Sequence, residues 1–142
     1  MSGLGSRVNA CACSVAILVV AACGKSDATI EGERVAAAIG RMRDAPREQR
    51  GPLIDALGAM TPRGELAKQA ADRCLTAYQG LEAAHTELDT VQEAVETAAT
   101  AKRDADPALL HKLVAAEEKL TQAKADQAGC ASAVMALQRS LR

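Results

Sequence analysis

The apolar positions of this chain fall into stretches of different pattern. Ala10 to Ala22 is an unbroken run of small and apolar residues. Beyond it, Ile30, Val35, Ala38, Ile39 and Met42 recur at helical spacing, which predicts a helix from about Asp27 to Arg43, ended by Ala45-Pro46. Leu53, Ile54, Leu57 and Met60 predict a second, shorter helix with Pro52 in its first turn. Two longer patterns follow. Ala70, Cys74, Ala77, Leu81, Ala84, Leu88, Val91, Val95 and Ala98 keep a continuous alternation of four- and three-residue steps. So do Leu109, Leu113, Ala116, Leu120, Ala123, Gln127, Cys130, Val134, Leu137 and Leu141. Such spacing is that of coiled-coil seams. Thr61-Pro62 and Asp106-Pro107 each read as an N-cap followed by a proline at the first helical position. The long helices are therefore predicted over 62–101 and 107–141, joined by a turn at 102–105.

If the chain folds back at that turn, facing residues have numbers with a constant sum. A sum of 204 brings Val95 to Leu109, Val91 to Leu113, Leu88 to Ala116, Ala84 to Leu120, Leu81 to Ala123, Ala77 to Gln127 and Ala70 to Val134. The same register brings Cys74 to Cys130. Three consecutive layers pair one Leu with one Ala, which lets the helix axes approach to the low end of the usual range of about 8–10 Å. Facing Cα atoms would then lie about 4–5 Å apart, within reach of a disulfide. Glu87 falls near Lys119 and His85 near Glu117 on the flanks of this register.

Composition agrees with an all-α fold. The 142 residues fit one domain, and 32 alanines against ten Gly and four Pro favour helix over sheet. With 49% hydrophobic and 25% charged residues, wholesale disorder is not expected. The chain has no Phe, no Trp and one Tyr, which removes the usual walls of ligand pockets and the faces that stack bases. A net charge of -1 argues further against nucleic acid as a partner. The expected architecture is a long, Ala-rich, coiled-coil-like antiparallel hairpin with two shorter N-terminal helices, the helical domain spanning 29–142.

The N-terminus carries an address. Arg7 is the only charge before Lys25, and the 13-residue apolar run suits a signal peptide, whereas a bilayer-spanning helix needs about 20 residues. The run ends in Val20-Ala21-Ala22-Cys23-Gly24, which resembles the lipobox of bacterial lipoproteins. The resemblance covers about 25 residues. It implies removal of residues 1–22, diacylation of the Cys23 thiol and acylation of the new amine by fatty acids such as palmitate. Residues 23–28 are then the lipidated cysteine and a short tether. Two or three acyl chains, at about 0.8 kcal/mol per buried CH2, anchor a protein stably to a membrane. Cys11 and Cys13 lie in the segment to be removed, which leaves Cys74 and Cys130 as the pair for a disulfide in an exported protein. Gly24 stands where enteric bacteria place an inner-membrane retention aspartate, so the expected location is the outer membrane, facing the periplasm.

Catalytic chemistry is sparse. Glu82-x-x-His85 has the spacing of a di-iron bundle motif, but it occurs once, and such a site needs it twice with two further glutamates. His111 has no partner triad, and Cys74 and His85 stand about 16 Å apart along one helix. No nucleotide, zinc, calcium or hydrolase motif is present. No catalytic residue, metal or cofactor is therefore expected. Arg41, Arg43, Arg47 and Arg50 cluster at the first connection, while Glu82, Glu87, Asp89, Glu93 and Glu96 follow one another without a Lys or Arg between 74 and 101. These runs read as solvated faces, or as a patch for anionic headgroups and a stripe for a protein partner. The expected role is a non-enzymatic structural or protein-interaction module of the cell envelope. The alternative is a ligand-binding or carrier lipoprotein with an apolar groove on the hairpin.

Overall fold

The computed structural model describes residues 25–104 and 106–142. The expected signal peptide, 1–22, and Cys23 lie outside them, as does Ala105 in the predicted turn. Among the described residues the regular elements are all helical: α1 (Asp27–Asp44), a single 3-10 turn (Arg47–Gln49), α2 (Arg50–Gly58), α3 (Glu65–Thr100) and α4 (Ala108–Ser140).

Helix α1 begins where Ser26 caps it, the Ser26 hydroxyl accepting the N–H of Thr29 at 3.2 Å. Asp27 in its first turn and Arg41 and Arg43 in its last complement the helix dipole. Ala45, forced out of helical geometry by Pro46, ends it in an extended conformation. Helix α2 tolerates Pro52 because the first-turn N–H groups have no partner within the helix. Met60 lies past the end of α2 and packs, half-buried, against the core.

One predicted boundary needs correction. Helix α3 starts at Glu65, with Gly64 as its cap residue, and not at Pro62 after a Thr61 cap. The cap comes from another helix: the Glu31 carboxylate of α1 accepts the backbone N–H groups of Arg63 at 2.9 Å and Gly64 at 3.0 Å. That interaction satisfies free amides at the start of α3 and holds 61–64 out of the helix. The second start signal stands. Asp106 accepts the N–H of Ala108 at 2.9 Å, and α4 follows Pro107 directly. Between the two long helices Lys102 adopts a left-handed φ of 49°, which turns the chain back.

Helices α3 and α4 pack along their length in the predicted register. Ala70, Cys74, Ala77, Leu81, Ala84 and Val91 of α3 and Ala116, Ala123, Cys130 and Leu137 of α4 are buried, and the intervening seam positions of α4 are half-buried. Layers with one large and one small residue fill the interface without forcing the axes apart. The seam opens only near the turn, where Val95 is 44% exposed. At the other end α1 and α2 cover the hairpin. Val35, Ile39 and Met42 of α1 and Ile54 and Leu57 of α2 join α3 and α4 in one core. Close approach of α1 to the end of α4 depends on Gly32, where a Cβ would lie 2.8 Å from a Leu141 methyl. The molecule is thus a helical bundle at its open end, continued by a bare two-helix arm.

Candidate functional site

Cys74 and Cys130 sit in the layer where the seam predicts their meeting. Their sulfurs are bonded (S–S 2.02 Å) and their Cα atoms are 4.6 Å apart. Cys74 is fully buried and Cys130 is 6% exposed, its edge forming part of a cleft. On the flank of the same register Glu87 pairs with Lys119, as the spacing predicts. No ion pair joins His85 to Glu117 among the described residues.

The two charge runs meet each other. Arg47 donates to Asp89 at 2.7 Å and to Glu82 at 3.4 Å, and Arg50 lies 3.5 Å from the other Glu82 oxygen. Arg50 also donates to the Ala45 carbonyl at 3.1 Å and stands 6.0 Å from the centre of the Tyr78 ring. The Arg47 hydrogen bond holds the Asp89 carboxyl below its ordinary range, and Asp89 raises Arg47 in return. Arg43 pairs with its neighbour Asp44 at 2.9 Å. Half of the arginine cluster therefore clamps the 45–50 connection onto α3, where the sequence spacing reads all four arginines as a solvated face or a patch for anionic headgroups. Glu82 belongs to this clamp. Among the described residues no group of three or more His, Cys, Asp or Glu side chains is placed to hold a metal ion.

Between α1 and the α3–α4 pair lies a cleft of about 450 Å3. It is lined by Ala36, Ile39, Gly40 and Arg43 of α1, Tyr78 of α3, and Gln127, Cys130, Ala131, Val134, Met135 and Gln138 of α4. Burial pushes the Tyr78 hydroxyl up from its ordinary pKa, partly offset by Arg50 and Arg43. Sequence reasoning allowed for an apolar groove on the hairpin without assigning residues to it. Two signals for its place were present: the one aromatic residue, beside a seam position, and the one polar seam residue, Gln127. The size falls within the range of small-molecule sites, but the lining has few convergent polar groups and no nucleophile–base pair.

Cys23, the expected lipidation site, lies outside the described residues. No described helix is long and apolar enough to cross a membrane. Compared with protein-family models, curated proteins and solved structures, the chain matches none.

Proposed function

We propose that this chain is a bacterial envelope lipoprotein, anchored by acyl groups on Cys23, whose helical hairpin serves as a non-enzymatic module for contact with another envelope protein. The observation that carries the reading is Val20-Ala21-Ala22-Cys23-Gly24 at the end of a 13-residue apolar run. The Cys74–Cys130 pair supports it, because disulfides persist outside the reducing cytosol. So does the geometry of the tether: α1 starts at Asp27, four residues after Cys23, at the end of the molecule where α3 begins and α4 finishes. Anchoring there keeps the open end of the bundle against the bilayer. The 36 residues of α3 then carry the turn about 54 Å away from it. Gly24 after the cysteine favours the outer membrane, with the arm reaching into the periplasm.

Metabolic labelling with a palmitate analogue tests the address. The parent is expected to label and Cys23→Ala to lose all label; equal labelling of both, or of neither, sinks the reading. The alternative, a carrier lipoprotein, draws on the cleft between α1 and α4. A bound lipid or small molecule in native mass spectra of the purified chain, lost on Gly40→Phe, would favour that reading.

A further inference from the structure

Arg43, Tyr78, Gln127 and Gln138 are the polar side chains that line the cleft between α1 and the α3–α4 pair, and all but Arg43 are idle. Tyr78 is only 7% exposed. Its hydroxyl bonds to no described residue, and neither do the side-chain amides of Gln127 and Gln138. The charge of Arg43 reaches the Tyr78 hydroxyl, which sets that hydroxyl toward the end of the cleft that Arg43 lines. The larger apolar members of the lining are Ile39, Val134 and Met135, and from Gln127 to Gln138 it runs about 16 Å along α4. Gly40 keeps the cleft wide: a helix-interior glycine forgoes helix propensity, and here a Cβ would meet nothing within 4 Å. An elongated apolar trough with a few unsatisfied polar groups at one end suits a chain with a polar head.

Charge selects the head. No carboxylate lines the cleft. On α1 and α3 the acids within about one turn of its lining are engaged: Lys25 holds Glu33, Arg43 holds Asp44, and Arg47 and Arg50 hold Glu82. On α4 the acid in that range, Asp126, accepts from Gln122 and lines a separate hollow with Asp72 and Arg73. The cations of this part of α4 have no such partner. Lys124 and Arg139 enter no ion pair among the described residues. Lys124 stands on the same heptad line as Ala131 and Gln138, at the Tyr78 and Gln127 end. Arg139 donates to the Met135 carbonyl at 3.3 Å, which ties it beside the lining. Once each pair is set aside, the surplus charge around the cleft is positive.

We infer that this cleft binds a single-chain anionic amphiphile of the fatty-acid kind, its hydrocarbon chain along Ile39, Val134 and Met135 and its carboxylate at the Tyr78 and Gln127 end, within the pull of Lys124. A carboxylate only accepts hydrogen bonds, and a Tyr hydroxyl and a Gln amide can both donate. Burial raises the Tyr78 pKa and so keeps the proton for that bond in place at neutral pH. The site rests on the carrier reading of the cleft and adds the class of its ligand; it asks nothing of the arm as a surface for protein contact.

Tyr78 is the one aromatic residue of the chain, so intrinsic fluorescence reports on this cleft alone. The test titrates the full chain, carried in phosphatidylcholine vesicles with empty vesicles as blank, with decanoate, uncharged 1-decanoylglycerol and decyltrimethylammonium, which match in chain length. Expected is a saturable response to decanoate that weakens with salt, with half-saturation at least about fivefold lower than for 1-decanoylglycerol and lower still than for the cation. Lys124→Glu is expected to weaken decanoate at least about fivefold and to leave 1-decanoylglycerol unchanged. Gly40→Phe, which fills the cleft, should weaken both, and Lys112→Glu on the distal arm neither. Unchanged far-UV circular dichroism checks the fold. Equal response to the three probes, or preference for the uncharged or cationic one, overturns the anionic ligand and leaves a carrier's cleft standing. A response to none, or one that survives Gly40→Phe, overturns the site itself, and empty native mass spectra then remove the carrier reading as well. Decanoate binding that emerges only in Cys23→Ala also overturns the inference, since the occupant is then the chain's own acyl group. Covalent labelling of Cys23 is scored separately, so the envelope address stands or falls without this titration.

Discussion

The carboxylate of Glu31 lies 3.0 Å from the backbone nitrogen of Gly64, so that a side chain of α1 supplies the cap that the start of α3 lacks. Hydrogen bonds from Gly64 and then Arg63 hold this carboxyl below its ordinary range. A depressed carboxyl stabilises the fold fully above the unfolded value, about 4.3 for Glu, and loses that contribution as pH falls through the lower folded value. Glu31→Gln is therefore expected to lower the urea midpoint at neutral pH and to flatten its decline below about pH 4. Asp44 and Asp89, depressed by Arg43 and Arg47, remain in the variant, so part of the acid sensitivity persists. An unchanged midpoint at both pH values would show that the cap is energetically idle.

The disulfide joins residues 56 apart in sequence. Chain entropy alone gives about 4 kcal/mol for such a loop as an upper figure, and native disulfides in small exported domains contribute about 2–5 kcal/mol. Cys74→Ser with Cys130→Ser is expected to lower Tm by roughly 10 °C or more while leaving the helical circular dichroism of the folded state intact. The parent should show altered mobility between reducing and non-reducing gels, and the double variant none.

Gly32 and Gly40 both lie inside α1 and are expected to respond in opposite ways. At Gly40 a Cβ meets nothing within 4 Å, so Gly40→Ala should stabilise by about 0.5–1 kcal/mol through helix propensity and chain entropy. At Gly32 a Cβ would stand 2.8 Å from one Leu141 methyl and 3.2 Å from a Leu137 methyl. Gly32→Val adds further bulk there and should cost about 1–3 kcal/mol by overpacking. Paired chemical denaturation of the two variants measures the contrast.

Met42 is fully buried and Leu57 is 1% exposed. Truncation of either to alanine is expected to cost about 2–5 kcal/mol, whereas Leu110→Ala on the distal arm should stay within about 0.5 kcal/mol of the parent. Equal, small effects at all three would mean that α1 and α2 do not share a core with the hairpin.

The long-range pairing was legible because a coiled-coil seam converts sequence spacing into contact. The register that joins Cys74 to Cys130 also puts Glu87 beside Lys119, and both meet as spacing predicts. What spacing does not encode is how separate helices lie on the hairpin. The start of α3 moves from Pro62 to Glu65 because Glu31, more than thirty residues upstream, takes the amides of Arg63 and Gly64. Arg47 and Arg50 look like half of a free basic patch until α2 docks and turns them onto Glu82 and Asp89. Val95 has a seam address yet stands open, because two helices alone cannot enclose the layer next to a turn. For the cleft at Tyr78, spacing marks Tyr78 and Gln127 on the hairpin but not the wall that α1 supplies.

The turn that carries Lys102 and Arg103 is exposed, and both residues are sites for a trypsin-like protease. A cut there severs the backbone between the two long helices, yet the halves stay joined through Cys74 and Cys130 and remain interdigitated along their seam. The nicked product is a two-chain molecule with a fresh carboxylate and a fresh amine at its far tip. Cleavage would thus alter the chemistry of the tip without shedding the arm, and detachment would require a reductant as well as a protease.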